Sequence, residues 1–223
     1  MLLTFNNVFY SYDKTHDVLK GINFNIDRGE KVALLGLNGA GKSTLMLLTN
    51  GLLLPSEGEV TVNGISTKSK ELREIRKTVG LVFQNPDDQL FMHTVKEDIA
   101  FGPRNMNLSE EEIEARVEKA LRLTATENLA DCHPFDLSGG QKKSVSIATV
   151  LSMDPELIVM DEPTSGLDYK ATQNFIDIVE SLAQSVILST HDMELAKRLC
   201  SRALVLKNGE LIYDGPISEV AYP

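Results

Sequence analysis

The sequence predicts an α/β fold with a mostly parallel sheet, an antiparallel β region at its N-terminus and a helical region inserted into the core. Three observations carry that prediction. Strand-like apolar runs alternate with helical patterns along much of the chain, the arrangement from which parallel sheets are built. A glycine-rich turn, Gly36-Leu37-Asn38-Gly39-Ala40-Gly41-Lys42-Ser43, followed by Thr44, joins one such strand to a helix. From about Leu90 to Val150 the apolar spacing becomes helical.

Each element has its own local reason. Leu3-Thr4-Phe5-Asn6-Asn7-Val8 and Ile22-Asn23-Phe24-Asn25-Ile26 alternate apolar and polar residues, as half-buried strands do, with a turn at 12–17 between them. Asp27-Arg28-Gly29-Glu30 turns the chain into the buried strand Lys31-Val32-Ala33-Leu34-Leu35, and a helix runs from Ser43 to Asn50. After the turn Pro55-Ser56-Glu57-Gly58, Glu59-Val60-Thr61-Val62-Asn63-Gly64 alternates again. Residues 70–77 are charged enough for a short surface helix. Thr78-Val79-Gly80-Leu81-Val82-Phe83 is apolar throughout, which predicts a central parallel strand ending at Gln84. Ser109 with Glu112 forms a capping box ahead of the stripe Ile113, Val117, Ala120 and Leu121. Pro134-Phe135-Asp136 interrupts the helices, and Leu137-Ser138-Gly139-Gly140-Gln141 opens another that reaches Leu151. Leu157-Ile158-Val159-Met160 is a buried strand leading into Asp161-Glu162-Pro163. A helix at about 169–183 and the strand Val186-Ile187-Leu188-Ser189-Thr190 follow. Asp192 caps the next helix, and Asn208-Gly209 makes a hairpin of the last two strands. The expected division is one domain, with 1–84 and 152–223 forming the β region and core and 85–151 the helical part.

Composition bounds the function. The chain has 223 residues, enough for a sizeable core, and 42% of them are hydrophobic. Its formal charge of −10 argues against a sequence-independent nucleic-acid binder, which needs a basic stripe. Cys132 and Cys200 have no metal-ligand spacing and read as reduced thiols of a cytosolic protein. The N-terminus lacks the basic and apolar regions of a signal peptide, and the most apolar stretch, 45–54, is too short to span a bilayer. Where a membrane matters to this chain, it enters through a partner.

The chemistry concentrates at loops that follow strands. The glycine-rich turn fits G-x-x-x-x-G-K-[ST], a loop whose N–H groups converge on phosphate oxygens beside a helix N-terminus. In that pattern Asn38, Gly39, Ala40, Gly41 and Thr44 surround the phosphates. Lys42 reaches the β- and γ-phosphates, and the Ser43 hydroxyl ligates Mg²⁺. Asp161 and Glu162 lie at the carboxyl end of an apolar strand, where open α/β sheets bind ligands. One carboxylate can hold Mg²⁺ through its water shell while its neighbour polarises an attacking water. Gln84 ends another strand and can touch the same Mg²⁺ shell or water, and His191 follows a further strand end. Ser138, Gly139, Gly140 and Gln141 form a second anion-friendly helix start. Since one loop already cradles the phosphates, the second start points to the ATP of another subunit. Tyr12 lies at the mouth of a hairpin, thirty residues before Lys42, and on residue type alone reads as a half-buried strand aromatic.

Taken together, these residues resemble the ATP-binding cassette of ABC transporters over essentially the whole chain. Residues 36–44 match the Walker A loop, 157–162 the Walker B strand with Glu162 as catalytic glutamate, and Gln84 the Q-loop glutamine. Leu137-Ser138-Gly139-Gly140-Gln141 matches the signature, Ser165-Gly166-Leu167-Asp168 the D-loop, His191 the switch histidine and Tyr12 the aromatic stacked on adenine. The resemblance implies a P-loop NTPase core, ATP and Mg²⁺ as ligands, and head-to-tail pairing with a second copy or a paralogue. Phe83-Gln84-Asn85-Pro86-Asp87-Asp88-Gln89-Leu90-Phe91 and Asp98-Ile99-Ala100-Phe101-Gly102-Pro103 look like the ATPase subunits of energy-coupling-factor importers of cobalt, nickel and vitamins. In that family the region after the Q-loop touches a transmembrane subunit. Ser144 departs from the family, which usually has a basic residue there, and many relatives extend beyond the point corresponding to Pro223. A non-transport ABC ATPase acting on DNA or ribosomes is the alternative. It would carry a long coiled-coil insertion or a second cassette, and 84–137 has room only for a compact helical part. A monomeric P-loop switch or kinase would have no use for the signature.

Overall fold

The computed structural model describes residues 1–13 and 15–220; Lys14, in the expected first turn, and 221–223, where the chain's end falls, lie outside the described residues. The chain divides into two compact units. One comprises Met1–Leu81, Glu156–Asp161 and the stretch from Ala183 onward, and the other Val82–Pro155 and Glu162–Leu182. This division groups residues by compactness.

In the first unit, β1 (Leu3–Ser11) pairs antiparallel with β2 (Asp17–Ile26) and with β4 (Glu57–Val62), and β4 pairs with β5 (Ile65–Ser66). The alternation seen in the sequence is now explained: Leu3, Phe5 and Val8 turn inward against Phe24 and Val60, and Phe5 and Phe24 stack at 4.5 Å. The second sheet of this unit adds β3 (Lys31–Leu35), β6 (Val79–Val82), β7 (Leu157–Asp161), β8 (Ser185–Ser189), β9 (Arg202–Lys207) and β10 (Glu210–Pro216). Its order is β10-β9-β3-β8-β7-β6 among the described residues. Strands β9, β3, β8 and β7 are parallel, and β10 returns antiparallel to β9. At the hairpin between them Asn208 and Gly209 both have positive φ, 52° and 83°, which is the backbone of a primed two-residue turn. Every residue of β7 and β8 is buried, as expected for parallel strands covered on both faces.

The structure corrects the expected central strand at 78–83. Strand β6 is at the edge of the sheet, beside β7. All four of its residues are nonetheless buried. An unbroken apolar run reports that both faces of a strand are covered; it does not report how many neighbours the strand has. The short helix expected at 70–77 is α2 (Leu72–Thr78), and α1 (Lys42–Thr49) and α7 (Met193–Leu199) complete the helices of this unit.

In the second unit, α3 (Val95–Asn105), α4 (Glu110–Leu123) and α5 (Gly139–Leu151) pack together, and α6 (Tyr169–Ser181) lies against α5. Each of α3, α4 and α5 begins with a complete capping box: Thr94 with Glu97, Ser109 with Glu112, and Ser138 with Gln141. The apolar stripe Ile113, Val117, Ala120 and Leu121 is the buried face of α4. Both cysteines are free thiols; Cys200 is buried and its thiol is pushed up to about 12 by desolvation.

Asp98, in the first turns of α3, is only 3% exposed. Its Oδ1 accepts the amides of Phe91 at 3.0 Å and Met92 at 3.1 Å, whereas its Oδ2 is buried with no partner. Burial raises its pKa against the two amide hydrogen bonds; Glu97 adds to the rise and His133 opposes it. A carboxyl whose folded pKa is raised contributes stability that is complete below its ordinary value and is lost as pH climbs through the raised value. Asp98→Asn keeps an acceptor for both amides and removes the ionisation. We therefore predict that wild type loses stability relative to Asp98→Asn as pH rises from the ordinary carboxylate range toward neutrality, measured by denaturant melts across pH. A difference constant in pH contradicts the prediction.

Candidate nucleotide site

Strand β3 lies between β8 and β9, and its carboxyl end runs directly into the loop 36–41. The path of that loop requires glycine at two points. Gly36 has φ 150°, and a Cβ there would come within 2.5 Å of the Leu206 carbonyl oxygen. Gly41 has φ 104°, and its Cβ would meet Leu19 at 2.8 Å. Both values lie where an L side chain is strained as well as crowded. The loop then tightens through Ala40 N–H donating to the Leu37 carbonyl at 3.1 Å.

Lys42 begins α1 yet is buried, because its side chain turns back beneath the loop. Its Nζ donates to the Gly36 carbonyl at 2.8 Å and to that of Leu37 at 3.4 Å. A buried ammonium held by two carbonyls is a cation stationed inside a ring of backbone dipoles. Leu37, Asn38 and Gly39 are exposed, a Cβ on Gly39 would meet open space, and the Ser43 hydroxyl is exposed in the first turn of α1. Thr44 is buried, and its hydroxyl is 3.2 Å from that of Tyr12. Tyr12 is otherwise exposed and rests edge-on against Tyr10 at 4.9 Å. The turn beside it is gathered by Asp13, which lies well below the usual carboxylate range, first through the Thr15 hydroxyl and then through the Thr15 and His16 amides. Open space over glycine, a buried ammonium and an exposed hydroxyl one residue on fit a polyphosphate with a divalent cation.

Two further groups of this unit stand at strand ends. Asp161 closes β7 and pairs in register with Ser189, the last residue of β8, while Leu34 of β3 pairs with the same Ser189. The Ser189 hydroxyl donates to Asp161 Oδ1 at 2.6 Å, which fixes the orientation of a buried carboxylate. Ser189 was not singled out from the sequence; its signal was a polar residue closing an otherwise apolar strand. His191 follows two residues later and is exposed, and Asp192 caps α7 by accepting from Glu194 and Leu195.

The remaining predicted residues belong to the second unit. Glu162, half-buried, has φ 45°. Of the seven described non-glycine residues with positive φ, five are Asn or Asp, which tolerate that region; Glu162 and Ala125 are the exceptions. Strain of this kind at a carboxylate beside a strand end points to a role that outweighs its cost. Gln84 is exposed, two residues past β6. Ser138 and Gln141 are engaged with each other: Ser138 N–H donates to Gln141 Oε1 at 2.9 Å, and Gln141 N–H to Ser138 Oγ at 3.4 Å. Gly139 is open to solvent, and Gly140 lets α5 approach α6, since its Cβ would sit 3.3 Å from that of Ala171. Asp168 caps α6, accepting from the Ala171 amide at 2.8 Å. Ser138, Gly139, Gly140, Gln141, Ser144 and Asp168 share the wall of an open cleft.

The family model described as ABC transporter matches residues 19–165. The chain is 48% identical over 219 residues to the energy-coupling factor transporter ATP-binding protein EcfA of Methanocaldococcus jannaschii, covering 96% of this chain and 78% of that protein. Among solved structures it is similar to cbiO1 of Clostridium perfringens, part of the ABC transporter complex cbiONQ. That likeness has 40% identity and a TM-score of 0.87, and it covers 98% of this chain and 89% of that one. A dimeric ATP-binding cassette in a post-hydrolysis state, bound to ADP and Pi, is 31% identical with a TM-score of 0.87, covering 97% and 99%. The phosphate-loop geometry, the fold and these likenesses converge on one conclusion: the chain belongs to the ABC transporter family, as an ATP-binding cassette that hydrolyses ATP.

Proposed function

We propose that this chain is the ATP-hydrolysing subunit of an energy-coupling-factor importer, carrying a transition-metal ion such as cobalt or nickel, or a vitamin, across the membrane. The observation that carries this reading is the identity with EcfA and cbiO1 over nearly the whole chain. Among the described residues no helix is long and apolar enough to cross a membrane, so the reading requires a transmembrane partner. A surface suited to one follows the Q-loop: Phe91 and Phe101 are 59% and 42% exposed and meet edge to face at 5.0 Å.

In this reading ATP lies on the loop 36–44, with Tyr12 against the adenine. Lys42 exchanges its two carbonyls for the β- and γ-phosphates. Ser43, Asp161 and Gln84 are the residues that would hold Mg²⁺. When bound, Mg²⁺ neutralises charge on the β- and γ-phosphates. Glu162 takes the proton of the attacking water, and Lys42 and His191 stabilise the charge that develops in line. Ser138, Gly139 and Gly140 of a second subunit, with Gln141 bracing that helix start, close over the γ-phosphate, and Asp168 lies at the same seam. The partner is a second copy or a paralogue, and pairing is driven by ATP itself. Every residue type needed for both halves of such a site is present on this one chain.

Two results are expected. Glu162→Gln retains ATP binding, loses about 10²-fold or more of its turnover and accumulates as an ATP-dependent dimer, read by phosphate release and by size-exclusion chromatography. Hydrolysis at the wild-type rate removes Glu162 from the role of base. Phe91→Asp combined with Phe101→Asp leaves the hydrolysis of the purified chain intact and abolishes co-purification of an integral membrane protein from detergent-solubilised cells. Unchanged recovery of the membrane protein moves its docking surface elsewhere.

A further inference from the structure

The Q-loop and the signature helix are joined by a set of contacts that neither motif requires for itself. The side-chain amide of Gln89 makes three hydrogen bonds. Its Oε1 accepts from the Phe83 N–H at 3.0 Å, and its Nε2 donates at 2.8 Å both to the Ser146 carbonyl and to the Thr149 hydroxyl of α5. The orientation of the amide is dictated chemically, because Phe83 N–H can only donate and the Ser146 carbonyl can only accept. Thr149 also donates to that carbonyl at 2.8 Å, so the receiving end is itself braced. Two lysines of α5 reinforce the join. Lys143, 4% exposed, donates its Nζ to the Gln84 carbonyl, and Lys142 pairs with Asp87 at 2.7 Å. Within the segment, the turn Pro86–Asp88 is capped by Asn85, which accepts from Asp87 N–H at 3.2 Å.

We propose that Gln89 is a positioning residue that binds the backbone at Phe83 and Gln84 to the signature helix, so that the placement of Gln84 follows the position of α5. The inference rests on the roles proposed above for Gln84 and for residues 138–141. Its consequence is communication between the two ATP sites of a pair. The signature of one chain meets the nucleotide held by its partner, while Gln84 of that chain serves its own nucleotide. A movement of α5 imposed at the first site is carried by Gln89 and Lys143 to the second. The exposed Gln84 side chain has freedom to reach solvent or ligand, and its backbone is the part that the helix holds.

The test is a double-mutant cycle on steady-state hydrolysis by the full chain, with Gln89→Leu and Gln84→Ala singly and together. Gln89→Leu is expected to lower kcat about tenfold with KM for ATP within about twofold of wild type, the pattern of a contact that matters in the transition state. The double variant is expected to be no slower than Gln84→Ala alone, since Gln89 acts through Gln84. Amide exchange at 83–84 is expected to quicken in Gln89→Leu. Losses that multiply in the double variant, or unchanged exchange at 83–84, overturn the proposal. Gln84→Ala hydrolysing at the wild-type rate overturns instead the assignment of Gln84 on which it rests. Gln89→Glu keeps the size of the side chain if the leucine variant folds poorly. At neutral pH its carboxylate faces the Ser146 carbonyl and kcat falls as for leucine. As pH drops and the carboxyl regains a proton to donate, the ratio of variant to wild-type kcat rises. A ratio flat in pH contradicts the role.

Discussion

The constraint on which the rest of this structure depends is the backbone path between Leu35 and Lys42. A parallel strand must stop, wrap and become a helix within six residues, with N–H groups gathered on one side. Gly36 and Gly41 permit it, one because a Cβ would come within 2.5 Å of the Leu206 carbonyl oxygen, the other by its φ of 104° against Leu19. The elements on either side serve this junction. Strands β8 and β9 flank β3, and its residues after Lys31 are all buried, so the loop leaves from the interior of the sheet. Lys42 then fills the loop from beneath with a buried positive charge held by two carbonyls. Lys42 donates as an ion to neutral carbonyls here; phosphate oxygens in their place would make the acceptor charged as well.

Two adjacent carboxylates stand at the end of β7. Asp161 and Glu162 are neighbours in sequence and differ in every physical respect. Asp161 is buried, pairs in register with Ser189 and is oriented by its hydroxyl at 2.6 Å. Glu162 is half-buried on a strained backbone at φ 45° and begins the second segment of the other unit. The helical unit has its own logic: three capping boxes stiffen its helix starts, and the box at Ser138 ties Ser138 to Gln141 while leaving Gly139 open.

Much of this was legible in the sequence because the signals are local. The phosphate loop, the Asn208-Gly209 hairpin, the capping box at Ser109, the helix start at Ser138 and the cap at Asp192 each depend on residues within one turn of one another. Burial was legible too, since the unbroken runs at 78–83 and 157–160 report coverage of both faces, and 79–82 and 157–161 are buried. What escaped notice was long-range. Ser189 is an ordinary serine until β8 pairs with β7 and brings it to Asp161, 28 residues away in sequence. Gln89 is an ordinary loop glutamine until α5, 57 residues further on, supplies the carbonyl of Ser146.

The sequence by itself determined the glycine-rich loop and its lysine, the carboxylate pair at the end of an apolar strand, the helix starts and the α/β class, because each follows from side-chain volume, periodicity or hydrogen-bonding capacity over a few residues. The tertiary structure alone decided that β6 takes the edge of the sheet, that Ser189 orients Asp161, and that Gln89 ties residue 83 to α5. The physical reason is common to all three. Strand order and side-chain partnership are set by which distant segments share a burial surface, and a hydrogen bond between residues far apart in the chain leaves no trace in the spacing of either.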